Sequence, residues 1–467
     1  MGKSKDTGNQ KIEKLLAIAN DKGASTNEAK IARKKAAKLY KDNKIDNYQI
    51  NTSKEIVKYS GPKKGKKSLK MKKSTLLGII GTLAGIVVII TTISIVHIIK
   101  KRIADRTVNI AFYGLDEKLQ DIIKKQIPQE ENIILNFDVI SDSDFDSALI
   151  KDKYDMLFTW RGEASDSLSK VAEEIPPRIL EVMPSSLSRA AKENKCVPIL
   201  LDHCELTFSE SVLKKLDTDV PMSFTAFVQY LKDAKGVVFS PFFCNGAEDR
   251  ILIDFVGALV LADGGLSAYN RFIEELRKAE KLEDLLDFDC DGKGKGNTLR
   301  ALLDMLKAWP KEGYTHPAWF NGRGNDLTYF AEDNQLGCFF TFLSEHRKIP
   351  YNIISKFESS LFPPDQSANN YGLLAPSVSG MLLSDNSNCK RYLAGLFTED
   401  AQMELSNLST LAPVHSRAQA YDRQADDVRY WAASCYGGAL PDLYYAVYQR
   451  KPEELKNMCS EIRNYVR

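Results

Sequence analysis

The sequence predicts an α/β domain of two lobes, carried behind a single transmembrane helix and a small N-terminal helical hairpin. Three observations lead there. The run STLLGIIGTLAGIVVIITTISIVHII, residues 74–99, contains no Asp, Glu, Lys or Arg. The charge changes sign across that run. Beyond it, strand-like and helix-like segments alternate for most of the remaining chain.

The 467-residue chain carries 64 Lys and Arg against 62 Asp and Glu. That near balance conceals an asymmetry. Residues 1–73 hold 21 basic and 7 acidic residues, so the remainder holds 43 and 55. Two oppositely charged parts on either side of an apolar run suit a chain that works in two compartments.

The first part, residues 1–60, opens with a predicted helical hairpin over 11–45. Ile12, Leu15, Leu16 and Ala19 form one stripe at helical spacing, and Ala29, Ala32, Ala36, Leu39 and Tyr40 a second. Gly23 is placed to end the first helix. Ser25 and Glu28 make a capping box for the next. The stretch resembles a short helical domain of unknown function found in bacterial and phage proteins. Its lysines read as a solvated helical surface, which excludes nucleic-acid binding as the leading expectation. The linker 61–73, GPKKGKKSLKMKK, adds seven lysines suited to anionic lipid heads.

Residues 74–99 are expected to cross the membrane and stay there. At about 1.5 Å per residue a helix of this length reaches roughly 39 Å, against a hydrocarbon core of about 30 Å. The run is long and late for an export signal, and the following KKRIADRT lacks a small-residue cleavage pattern. The lysine-rich near flank predicts an N-terminus inside the cell and the bulk of the chain outside. Gly81 and Gly85 form a GxxxG spacing that would let two helices approach closely, although small residues are common in membrane helices generally.

In 107–467, TVNIAFYG, NIILNFDVI and YDMLFTW read as strands, and LDEKLQDIIKKQI and DFDSALIKDK as helices between them. This βαβα order predicts a mostly parallel sheet covered by helices. A second α/β unit is expected from about residue 215, with a helix opened by proline and serine in PMSFTAFVQYLKDAKG, a strand in VVFSPFF and a long helix in AEDRILIDFVGALVLADGG. Two such lobes imply a cleft between them. All eight cysteines lie in this part, without CxxC pairs, and are expected as buried thiols. Read as one strand, CVPILLDHC would hold Cys196 and Cys204 about 26 Å apart, too far for a disulfide.

Several segments resemble the bacterial extracellular solute-binding proteins of the maltose- and sugar-receptor type. YDMLFTWRG is similar to a strand whose end meets ligand in that family. CVPILLDHCELTFSESVLKKL resembles the passage toward the second lobe, and VPMSFTAFVQYLKDAKG the helix that follows. FAEDNQLGCFFTFLSEHR looks like the segment lining the cleft. The return helix and turn are matched by SVSGMLLSDNSNCKRYLAGLFTEDAQMELSNLSTLAPV, and the C-terminal aromatic segment by GGALPDLYYAVYQ. The resemblance implies a type II periplasmic-binding-protein fold over 107–467, with lobe 1 near 107–210 and 365–412 and lobe 2 near 211–364 and 413–467. The family's tyrosine-asparagine after the hinge is Thr207-Phe208 here, and its glycine-x-tryptophan is Ser344-Glu345-His346. Those departures bear on sugar specificity.

By position, the resemblance makes Trp160, Arg161, His203, Glu205, Glu345, His346 and Tyr445 the candidate ligand-binding residues. Trp160 would offer a stacking face, with core packing as its alternative. Arg161 would form a forked pair with a carboxylate or phosphate, or a surface ion pair. Glu345 also reads as a solvated strand end and Tyr445 as core. His203 and Glu205 alternate around Cys204, so both face the cleft or both face water.

No catalytic constellation, cofactor or metal site is expected. Asp287-Phe-Asp289-Cys-Asp291-Gly292 begins like a calcium loop, but its twelfth position is Thr298 where a bidentate Glu is needed. Ser167–Lys170 and Ser384-Asp385-Asn386 match penicillin-recognising motifs, which also require a KTG that is missing. The expectation is a receptor, not an enzyme, anchored in the bacterial cytoplasmic membrane with an extracytoplasmic or periplasmic domain. It would capture a small solute, of which carbohydrate is the suggested class, for an ABC-type permease. The alternative is a membrane-tethered sensor or scaffold that couples the outer lobes to the cytoplasmic hairpin.

Overall fold

A computed structural model describes residues 106–292, 296–365, 370–420, 422–447 and 451–467, with Lys35 and the strand residues 48–50 and 56–58. The expected hairpin over 11–45, the lysine linker and the apolar run 74–99 lie outside the described residues. The chain divides into two units, Met1–Thr92 and Ile93–Arg467. In the first, β1 (Tyr48–Ile50) and β2 (Ile56–Lys58) form an antiparallel pair, which the sequence reading had not anticipated.

The second unit opens with β3 (Thr107–Tyr113), α1 (Glu117–Gln126), β4 (Ile134–Ile140), α2 (Ser147–Lys153) and β5 (Met156–Trp160), followed by α3 (Glu163–Ser169), α4 (Ser185–Asn194) and β6 (Val197–Leu201). Asp116 caps α1, its carboxylate accepting from the Leu119 amide at 2.8 Å, the pairing that satisfies an orphan donor at a helix start. Next come β7 (Cys204–Ser209), α5 (Phe224–Ala234), β8 (Ser240–Cys244), α6 (Asp249–Lys278), α7 (Leu299–Glu312), β9 (Leu336–Phe342) and β10 (Phe357–Ser360). Ser223 caps α5 through the Ala226 amide, as the proline-serine start predicts. The chain ends with β11 (Leu373–Leu374), β12 (Ser377–Leu382), β13 (Ala412–Pro413), α8 (Arg423–Ser434), β14 (Ala439–Leu440), α9 (Leu443–Val447) and α10 (Pro452–Val466).

Two main sheets result. The first has the order β13-β6-β12-β5-β3-β4 and the second β10-β7-β9-β8, while β11 and β14 pair in parallel on their own. The first sheet is mixed, where a mostly parallel one was expected. β3 runs parallel to β4 and β5, but β12 enters from late in the chain antiparallel to both β5 and β6. β5, β6 and β12 are buried along their whole lengths. This double-sided burial explains their near-continuous apolar sequences. Edge strand β4 alternates between half-buried and exposed over most of its length.

CVPILLDHC is two strands, not one. β6 ends at Leu201, Asp202-His203 carries the chain across, and β7 begins the second sheet at Cys204, ahead of the start expected near 215. All eight cysteines are buried free thiols. The core of the second lobe is aromatic: Phe227, Phe242, Phe255, Trp309 and Trp319 pack edge-to-face and offset with centroids 5.2–6.5 Å apart, geometries that add to plain burial.

Helix α6 is long and apolar enough to cross a membrane, yet 78% of its most apolar window is buried within the protein. It is a core helix of the second lobe. Gly265 interrupts it at φ +71°, and a side chain there would collide with Asn370, so the kink requires glycine.

Candidate functional site

The end of β5 delivers Trp160 to the junction of the two sheets. Its indole lies flat on Tyr445 of α9, with centroids 4.8 Å apart and planes 8° from parallel. Gly162 permits this approach, because a Cβ there would stand 2.2 Å from the Tyr445 carbonyl oxygen. Both aromatic candidates are therefore brought together, and both are largely buried.

A residue that sequence reasoning missed fills the space beside them. Arg250, in the first turn of α6, places its guanidinium 3.9 Å from the Phe342 ring centroid, 5.2 Å from Trp160 and 5.1 Å from Tyr445. Its Nη2 donates to Asp202 at 3.1 Å and its Nε to Asp442 at 3.2 Å. Asp202 also accepts from the Ser344 amide and hydroxyl, each at 2.9 Å. Asp442 accepts from the Tyr445 amide at 2.6 Å. One turn along α6, Asp254 accepts from the Leu443 amide at 2.6 Å.

Three buried carboxylates thus surround one guanidinium. Burial pushes the Asp254 carboxyl well above its ordinary range, and the neighbouring Asp442 charge adds to this. Burial raises Asp442 to about 6, against the pull of Arg250. Charge in such a place persists only when paired and hydrogen-bonded. The sequence signal was available for three of them: Asp202, Asp254 and Asp442 each interrupt an otherwise apolar stretch, whereas Arg250 follows Glu248 and Asp249 in a charged helix start.

Glu205 and His346 form a second buried pair, 2.6 Å apart, with Ser359 donating to the same carboxylate oxygen at 3.1 Å. Burial would raise Glu205, but the charge and hydrogen bond of His346 outweigh it and hold Glu205 below its usual value. The carboxylate in turn raises His346 against the effect of burial. His203 is also buried, packed 4.8 Å from Trp431, and burial pulls it down to about 4 despite the Glu205 charge. Glu345 points elsewhere and pairs with Lys348 at 2.5 Å.

Arg161 lies on another side of the junction, in the wall of a polar cavity of about 590 Å³. First-lobe helices α3 and α4 supply Asp166 and Arg189, α6 supplies Asn270 and Arg277, and the segment before α9 supplies Tyr436. Arg277 bonds Asp166 at 2.7 Å and the Ala446 carbonyl at 3.1 Å. Arg161 donates to the Ala439 carbonyl at 2.6 Å. Arg189 donates to the Tyr436 carbonyl and lies 4.3 Å over that ring. The volume falls in the range of small-molecule sites, about 300–1,000 Å³.

No family model matches the sequence, and no curated protein matches it either. Solved structures do. The bacterial solute receptor AcbH, described as having an exclusive preference for β-D-galactopyranose, superposes with a TM-score of 0.58 at 11% identity, covering 77% of this chain and 96% of its own. The apo form of RafE from Streptococcus pneumoniae gives 0.53 at 12%, covering 77% and 97%. The chain has the solute-receptor fold. RafE in complex with raffinose gives 0.51 at 12% identity, with 77% and 98% covered. These neighbours are binding proteins, and at such identities the likeness concerns architecture alone. In the solute-receptor fold the interlobe junction is the natural place for a ligand.

Proposed function

We propose that this chain is a membrane-anchored extracytoplasmic receptor that captures a small solute, of the carbohydrate class, between its lobes for an ABC-type importer. The observation that carries the reading is the polar 590 Å³ cavity at the lobe junction of a solute-receptor fold. Its walls come from both lobes, so an occupant would bridge them. The anchor rests on the charge-free run 74–99 and its lysine-rich flank.

The test is a thermal-shift screen of the full chain in detergent against neutral and acidic sugars, amino acids, peptides, polyamines and phosphate. A true ligand at a hundred times its Kd stabilises the folded state by about 2.7 kcal/mol, a rise of several degrees. A flat response across the panel, with no small molecule retained in native mass spectrometry, refutes the reading.

One observation favours a second reading, the tethered sensor or scaffold. The Trp160–Tyr445 platform is already covered by Arg250, as in a domain that keeps its fold while signalling through the membrane helix. Co-purification of a cytoplasmic partner that is lost on deleting residues 1–73 supports that reading. Recovery of importer subunits alone excludes it.

A further inference from the structure

The junction cavity is lined by guanidinium groups in unequal states. Arg277 is neutralised by Asp166. The hydrogen bonds of Arg161 and Arg189 go to backbone carbonyls, those of Ala439 and Tyr436. Among the described residues neither has a carboxylate within ion-pair distance. Each guanidinium has five N–H donors, so a single carbonyl leaves most of the fork unused. Glu193 and Glu274 reach the same cavity but are exposed, where solvent and salt screen them. Arg161 is half-buried, directly after the fully buried strand β5.

A neutral sugar is usually held by an aromatic face. Here the parallel pair Trp160–Tyr445 is covered by Arg250, and the Tyr436 ring is covered by Arg189. What the cavity offers instead is a fork geometry that matches a carboxylate, with the amide of Asn270 as a donor and acceptor for hydroxyls.

We propose that this cavity binds a saccharide bearing a carboxylate, a uronic acid or short uronate, with Arg161 receiving the carboxylate and Arg189 assisting. The proposal rests on the receptor reading and narrows its substrate class.

Calorimetric titration of the full chain with galacturonate and glucuronate, their parent sugars galactose and glucose, and inorganic phosphate tests it. The uronates should bind at least tenfold more tightly than the parent sugars, as expected when a charged hydrogen bond is gained. Arg161→Gln should erase that advantage, and Arg161→Lys, which keeps charge without the fork, should restore only part of it. Arg189→Gln, at an exposed position, should reduce the preference several-fold and gives a second readout if Arg161→Gln folds poorly. Neutral sugars binding as tightly as uronates would overturn the proposal while leaving the receptor reading intact. Phosphate binding as tightly as a uronate would also overturn it, because the site would then read charge without sugar. Binding of none of these overturns the proposal; the wider solute screen then decides the receptor reading separately.

Discussion

Arg250 and Arg161 both serve the junction of the lobes, and their surroundings differ in kind. Arg250 meets two buried carboxylates and three aromatic rings, and its charge is spent inside the protein. Arg161 meets one carbonyl and faces an open polar cavity. The comparison separates a group that ties the lobes together from one left available to a solute. Three carboxylates crowd around Arg250, so removing it exposes their full cost, whereas Arg161 gives up only one neutral acceptor.

The two arginines should differ most in what their loss does to stability. Arg250→Ala leaves Asp202 and Asp442 buried without their cation, and stripping one partner from a buried pair costs about 3–5 kcal/mol. Urea unfolding should show that loss. A change below about 1 kcal/mol would mean that the carboxylates are already neutral and Arg250 ties nothing.

The second effect is a dependence on pH. His203 is held at about 4, below the ordinary 6.5 of the unfolded chain. The unfolded state therefore binds the extra proton between those values, so the His203 contribution to stability rises with pH from about 4 to 6.5, against the opposite contribution of the raised Asp442 carboxyl. The gap corresponds to at most about 3 kcal/mol. His203→Phe should make the slope of stability against pH in that range less positive than in the parent chain. An unchanged slope would assign the rise to another group, such as His415, which burial also holds below its ordinary value.

Smaller effects sharpen the other side. Arg161→Gln should alter stability by no more than about 1 kcal/mol, the worth of one ordinary hydrogen bond, while reducing solute affinity. Glu345→Ala, which breaks an exposed pair with Lys348, should cost about 0.5 kcal/mol or less and leave binding unchanged. A binding loss there would move the site toward the end of β9.

Local features of this architecture were legible in the sequence. The alternation over 107–160, the cap at Ser223 and the long apolar helix α6 all follow from periodicity and capping chemistry. The mixed first sheet was not legible, because β12 pairs with β5 across more than 200 residues and no local pattern announces it. The break at Asp202 escaped for a related reason. A buried carboxylate can end a strand there only because Arg250 and Ser344, 48 and 142 positions away, satisfy it.

The candidate site was legible in part for the same reasons. Trp160 and Tyr445 are both candidates on sequence grounds, but their stacking, and the arginine beside them, depends on contacts between the lobes. Glu205 and His346, both candidates on sequence grounds, meet each other across 141 positions. Arg161 alone among the charged candidates lines the cavity.

Chemical footprinting of arginines with phenylglyoxal, read by peptide mass spectrometry on the full chain with and without a bound solute, distinguishes Arg161 from Arg250. Arg161 should be modified in the free chain and protected when solute binds, while Arg250 stays unmodified in both states. Unchanged reactivity of Arg161 on saturation, or a bound solute that alters the reactivity of Arg250, would contradict this assignment of roles.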